Sequence, residues 1–284
     1  MATQVNLSSR PANGKDRQRI ANLINFETLV HRHLDWRPPL DWIDSHPYLV
    51  AENGQLLVAA LACPPDPPHV AWIRLFAVAS EVDPGKAWFT LWPQACQYLT
   101  QQPKMRVAAI PLHDWFRQLI SASRFIQVNQ VVMLSWERDR LSSPHKMPAL
   151  RIRPMKQTDL PEVETLDNAS FGSLWQNSLL SLEIAFRQAA VATVAELDGR
   201  MVAYQISTGA QIGGHLARLA THPDYQGRGI ASCVVEDALA QFHRRGALRV
   251  TVNTQEDNLA SLAIYEKTGF ARTGESFPVY QYPG

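Results

Sequence analysis

The chain has 284 residues, 46% hydrophobic and 19% charged, the balance of a soluble globular protein long enough for two domains of ordinary size. A formal net charge of +1 supplies no field to attract a nucleic-acid backbone or an anionic membrane, so neither is expected as a partner. Cys63, Cys96 and Cys233 stand far apart, which argues against a disulfide framework or a zinc site. The opening Met1-Ala2-Thr3-Gln4-Val5-Asn6 lacks the basic start and apolar run of a signal peptide, and no apolar stretch approaches a bilayer span. A cytoplasmic location is expected.

In chain order, the first half opens with a strand around Arg10-Pro11 and a helix carrying Asp16, Ile20 and Leu23. A hairpin follows at Val50-Ala51-Glu52-Asn53-Gly54. Strands and helices then alternate through Ile73-Arg74-Leu75, Arg106-Val107 and Arg124-Phe125. The second half repeats this order at a shift of about 144 residues, the mark of a duplicated unit. Arg153-Pro154, Asp159, Val163 and Leu166 match the opening, and Val194-Ala195-Glu196-Leu197-Asp198-Gly199 matches the hairpin with one extra turn residue. Ala217-Arg218-Leu219, Arg249-Val250 and Gly269-Phe270 match the rest. Any one match is within reach of chance; their constant order carries the inference. Two copies of one domain are expected, residues 1–137 and 149–284, joined by a polar linker at 138–148. The element order implies an α/β (α+β) fold of sheet and helix layers.

Within the second copy, His215-Leu216-Ala217-Arg218-Leu219-Ala220 reads as a strand and Thr221 to Tyr225 as a loop, with Pro223 ending strand pairing. From Ile230, residues Val234, Val235, Ala238, Leu239 and Phe242 recur at helical spacing, with Glu236, Asp237, Gln241 and Arg244 on the remaining surface. Gln226-Gly227-Arg228-Gly229-Ile230-Ala231 therefore sits where a strand hands over to a helix. First-turn N–H groups there lack intrahelical partners, and the dipole end is positive. Gly227 and Gly229 let the backbone approach a bulky anion such as a pyrophosphate, and Arg228 adds charge. On its own such a turn is a weak signal. Downstream, Leu248 to Asn253 alternates as a strand. Asn258 suits an N-cap, Leu259 to Thr268 reads as a helix bearing Tyr265, and Gly269-Phe270 closes it.

These two segments together resemble the GNAT N-acetyltransferase superfamily. Gln226 to Ala231 fits its Q/R-x-x-G-x-G/A signature, and Asn258 to Phe270 is similar to N-x-x-A-x-x-L-Y-E-K-x-G-F, with Ser261 and Ile264 as mild departures. The resemblance covers residues from about Leu150 onward, with the first half a faded copy; the tandem arrangement is similar to that of mycothiol synthase. It implies two tandem GNAT-like domains, each a mixed, mostly antiparallel sheet flanked by helices. It further implies an acyltransferase that moves an acetyl group from acetyl-CoA to an amine, a small molecule or a protein N-terminus, with no metal, as a monomer or homodimer. Amides from Gly227 to Ala231 would hold the pyrophosphate, and backbone at Leu219, Ala220 and Thr221 would pair with the pantetheine arm. Asn258 would support the cofactor side, and Tyr265 would protonate the departing thiolate. Glu196, His215 and His222 are candidates for the base, of which the first two are taken as catalytic. Many relatives have glutamate where Asn253 stands, so a water chain is an alternative.

Phe171, Trp175, Tyr204, Tyr280 and Tyr282 are candidates to line the acceptor side. The first half lacks the chemistry: in Val82-Asp83-Pro84-Gly85-Lys86-Ala87, Pro84 removes an N–H donor and Asp83 brings an unfavourable charge. Ile120 stands where Tyr265 would be and has no proton to give. The alternative function is a non-catalytic acyl-CoA-binding regulatory or scaffold protein.

Overall fold

Each copy begins with a short strand whose arginine is held by two carboxylates. The computed structural model describes residues 6–138 and 147–283, so residues 139–146, most of the expected linker, lie outside the described residues. Arg10 bridges Asp16 at 2.7 Å and Glu52 at 2.8 Å; Arg153 bridges Asp159 and Glu196, each at 2.7 Å. In both copies this ties the first strand to the start of the first helix and to the neighbouring strand.

The first repeat contributes β1 (Leu7–Pro11), α1 (Arg17–Phe26), β2 (Leu29–Arg32), β3 (Tyr48–Asn53), β4 (Leu56–Ala62), β5 (Val70–Trp72) and β6 (Leu75–Val78). It continues with α2 (Pro84–Thr100), β7 (Arg106–Ala109), α3 (Asp114–Ala122) and β8 (Ile126–Glu137). The second contributes β9 (Leu150–Pro154), α4 (Leu160–Ser170), α5 (Leu179–Gln188), β10 (Val191–Leu197), β11 (Arg200–Gly209), β12 (Gly213–Thr221), α6 (Ile230–Arg244), β13 (Arg249–Gln255), α7 (Leu259–Lys267) and β14 (Ala271–Tyr282).

The chain divides into two units, Met1–Val128 with Pro278–Gly284, and Asn129–Phe277. In the first, the order β1-β3-β4-β6-β2 is antiparallel throughout, and β5 pairs in parallel with β7. In the second, β8-β13-β12-β11-β10-β9 is antiparallel except for the parallel β12–β13 pair. Mixed, mostly antiparallel sheets with helices against them are thus found, as the resemblance implied.

The units divide the chain differently from the expected 1–137 and 149–284: residues 129–137, most of β8, fall in the second unit, and the chain end from Pro278 falls in the first. Residues of β8 pair with β13, from Arg249 opposite Glu137 to Gln255 opposite Val131. The end of β14 pairs with β7, Tyr280 opposite Ala109 and Tyr282 opposite Val107. Strand alternation in a sequence records a strand's two faces, not which sheet it joins.

Registers also refine the internal repeat. Tyr204 lies opposite Val194 and Ala220, while Ala60 lies opposite Val50 and Ala77. Hence Leu219 corresponds to Phe76, Arg218 to Leu75 and Ala217 to Arg74, one residue off the match between Ile73-Arg74-Leu75 and Ala217-Arg218-Leu219. A one-residue slip exchanges the faces of a strand, so this difference decides which side chains are comparable.

Under each sheet the helices bury the stripes their spacing dictates. Helix α2 buries Ala87, Trp88, Leu91, Trp92, Ala95 and Leu99; α6 buries Ile230, Val234, Val235, Ala238, Leu239 and Phe242. Each large apolar side chain so placed contributes about 1.5–3 kcal/mol. Glu236, expected on the surface, is buried with this stripe.

Candidate active site

Strand β12 leaves its parallel neighbour halfway along. Gly213–Leu216 pairs with Arg249–Val252, but from Asn253 onward β13 keeps only β8, while β12 continues with β11. The parting coincides with a bulge: Leu216 faces Ser207 and Arg218 faces Ile206, leaving Ala217 as the extra residue. A bulge of this kind bends the strand and ends pairing on one side. The His222 N–H donates to the Val202 carbonyl at 2.8 Å. By the alternation of an antiparallel ladder, Arg218 and Ala220 also bond towards β11, and the N–H groups of Leu219 and Thr221 face the side β13 has vacated. The Thr221 carbonyl accepts from Ser170 Oγ at 3.2 Å and Gln226 Nε2 at 3.0 Å. Ala220 therefore turns its backbone away from the opening, unlike its two neighbours. An open strand edge of this kind takes an extended amide-containing ligand as an added strand.

At the end of that edge lies the glycine turn. Gly227 and Gly229 have φ of 74° and 82°, in the left-handed region that side chains other than glycine's enter at a cost. Gly229 is the N-cap of α6 and supplies no side-chain cap, and the first helical bond there is Cys233 N–H to the Gly229 carbonyl at 3.2 Å. The N–H groups of Ile230, Ala231 and Ser232 thus precede the first intrahelical donor, which makes an anion-binding end. Arg228 bends back, donating to the Asp224 carbonyl at 2.8 Å with its guanidinium 5.0 Å from the Tyr225 ring.

Tyr265 is buried on α7 with its ring edge-on to Phe270, and burial pushes its phenol pKa up, so it holds its proton at neutral pH. Asn258 caps α7, its side-chain oxygen accepting from the Ser261 N–H at 3.1 Å; its side chain serves the helix. His215 lies on the still-paired part of β12, with Nδ1 2.9 Å from Thr251 Oγ1 and its pKa lowered by burial. His222 accepts from the Asp224 N–H at 3.3 Å, and Asn253 lies opposite Met133. Glu196 lies at the hairpin end of β10, where its carboxylate is held by Arg153.

The aromatic candidates divide. The Arg218 guanidinium lies 3.5 Å from the Phe171 ring centroid and donates to the Trp175 carbonyl at 2.6 Å. Tyr204 is fully buried, and its hydroxyl donates to Asp167, so it is a core residue and not an exposed lining one. Tyr280, like Tyr282, belongs to the first unit, where it pairs with β7 and packs on that core.

Sequence reading missed Asp167 and Arg218. Asp167, 0% exposed, receives Arg218 Nη2 at 2.6 Å, Arg218 Nε at 2.8 Å, the Tyr204 hydroxyl and the Asn177 N–H at 3.0 Å. With its oxygen turned inward, the Asn177 amide accepts from the same guanidinium at 3.1 and 3.2 Å. The available signal was an aspartate on the buried face of α4, next to Leu160, Val163 and Leu166.

The first unit has the same edge, but closed. Strand β2 pairs along β6, with His31 opposite Phe76 and Leu29 opposite Val78, the residues that correspond to Leu219 and Thr221. At its helix start, Asp83 accepts from the Lys86 N–H at 2.8 Å and Pro84 fills the first helical position. Ile120 is fully buried. Among the described residues no group of three or more His, Cys, Asp or Glu is placed to hold a metal ion. No described helix is long and apolar enough to cross a membrane.

Residues 160–270 match the family described as Acetyltransferase (GNAT) family. The N-alpha-acetyltransferase 30 of Schizosaccharomyces pombe is 32% identical over 75 residues, 26% of this chain. The chain spans about half the length of that curated relative, 50%. Among solved structures, a GCN5-related N-acetyltransferase from Sphaerobacter thermophilus is similar at TM-score 0.64 and 14% identity, over 98% of this chain and 96% of that one. A tandem GNAT protein from the clavulanic acid biosynthesis pathway is similar at TM-score 0.64 and 14% identity, over 97% and 98%. At that identity the likeness concerns the fold.

Proposed function

We propose that this chain, whose residues 160–270 match the GNAT acetyltransferase family, carries an acetyl group from acetyl-CoA to an amine, using the second unit alone. The observation that carries this reading is the unpaired edge at Leu219 and Thr221, running into an uncapped helix start with two left-handed glycines. A pantetheine arm carries two amides and suits a vacant strand edge; its pyrophosphate suits the α6 N-terminus. The Leu219 N–H is then the donor for the oxygen of the reacting thioester.

In the step proposed, the neutral amine nitrogen bonds to the thioester carbon and the carbon–sulfur bond breaks. The sulfur takes the Tyr265 proton; the amine proton leaves to water, from which the phenolate is restored. Glu196 takes no part, being paired with Arg153. The α-amino groups named in the activity of the S. pombe relative are the first acceptors to try. A folded sample is heated with acetyl-CoA, then incubated with a panel of amines and N-terminal peptides while free thiol is read. Stabilisation by acetyl-CoA and amine-dependent thiol release support the proposal. No stabilisation at saturating acetyl-CoA counts against it.

A further inference from the structure

We propose that Asp167, Tyr204 and Arg218 are positioning residues that hold the segment Phe171–Asn177 off the open edge of β12. The repeat supplies the comparison. In the first copy the segment after the first helix becomes β2 and pairs with Phe76 and Val78. In the second copy the segment after α4 stays outside and forms no strand. The two copies differ at the three positions beneath that segment. Ile20 and Leu23 correspond to Val163 and Leu166, which places Ile24 at the position of Asp167. Registers place Ala60 at that of Tyr204 and Leu75 at that of Arg218. Three apolar residues in the closed copy thus stand where the open copy has a carboxylate, a phenol and a guanidinium.

The polar set reaches the segment directly. Arg218 lies against the Phe171 ring and donates to the Trp175 carbonyl; Asp167 accepts from the Asn177 N–H. Ser170, just before it, donates to the Thr221 carbonyl. A buried ion pair adds little net stability, because desolvation offsets its attraction, but its fixed geometry selects one conformation over another. Here the selected conformation leaves the Leu219 and Thr221 N–H groups without a strand partner.

The proposal rests on reading that edge as the acyl-CoA seat, so its test has two arms. The variant Asp167→Ile/Arg218→Leu gives the second copy two of the three residues of the first, keeps Tyr204, and leaves neither charge buried alone. Hydrogen–deuterium exchange is read at Leu219 and Thr221 without ligand, and acetyl-CoA is titrated separately. The expected result is exchange at both amides slowed about tenfold or more, with acetyl-CoA affinity reduced about tenfold or more. Arg218→Lys, which keeps the charge without the fork, falls between. Exchange within about twofold of wild type in the folded variant overturns the proposal. Should the double variant not fold, Asp167→Asn is read for the same two outcomes. If wild type binds no acetyl-CoA, the reading of the edge fails, while exchange still decides the positioning role.

Discussion

Phe76 and Leu219 hold corresponding places in the two copies, yet Phe76 faces His31 across an antiparallel pair while Leu219 has no strand on that side among the described residues. One duplicated scaffold has thus reached two states, an edge filled by its own chain and an edge left open. The first copy packs its closed side with aromatic rings: His31 stacks on Phe116 at 4.0 Å, and Phe76 meets Trp88 edge-on at 5.1 Å.

That closure has a pH signature. Burial pushes His31 down to about 3, with only its Nε2 contact to the Ile73 carbonyl, 3.0 Å away, opposing the shift. Below pH of about 6.5 the unfolded chain takes a proton that the native ring refuses. The His31 contribution is therefore complete above that pH and is lost as pH falls towards 3, at up to about 1.4 kcal/mol per pH unit. Urea unfolding at pH 7, 6, 5 and 4 should show wild type losing stability more steeply than His31→Phe, by about one proton. Equal slopes would contradict it.

Glu196→Gln should cost stability and spare catalysis. The carboxylate is about one-fifth exposed and paired with Arg153, so the loss is about 1 kcal/mol after solvent screening. Glu52→Gln, its counterpart beside Arg10, should behave alike. A thermal melt and a kcat measurement check both; a hundredfold fall in kcat for Glu196→Gln alone would restore it as the base.

Tyr265→Phe retains the ring packing against Phe270 and removes the proton. Acetyl-CoA affinity should stay within about twofold while kcat falls by about a hundred- to ten-thousandfold, the range of a general acid. Unchanged kcat would assign Tyr265 to packing alone.

Gly229→Ala places a side chain at φ 82°, which costs about 1–2 kcal/mol and disfavours the backbone conformation of the turn, although its methyl meets only Met147 Cε at 3.9 Å. We expect a melting temperature lower by several degrees and acetyl-CoA affinity weaker by about tenfold or more. A calorimetric titration checks it.

Much of this was legible in the chain, for physical reasons that can be named. The glycines at 227 and 229 and the apolar stripe from Ile230 to Phe242 mark a local strand-to-helix passage, and local geometry is what spacing encodes. The repeat was legible too, because Arg10, Asp16 and Glu52 recur as Arg153, Asp159 and Glu196. Glu196 nonetheless looked like a base, since a sequence does not show that an arginine already holds it. That Tyr280 pairs with Ala109 of β7 is not visible in alternation, which records a strand's faces and not its neighbour. Asp167 and Arg218 are 51 residues apart, and only the fold brings them together.

The central claim is one acyl-CoA seat per chain, on the open edge of the second copy. Calorimetric titration of the whole protein with acetyl-CoA counts seats directly. The account predicts one per chain, lost or weakened in Gly229→Ala. Two seats per chain, or a single seat indifferent to Gly229→Ala, would contradict it.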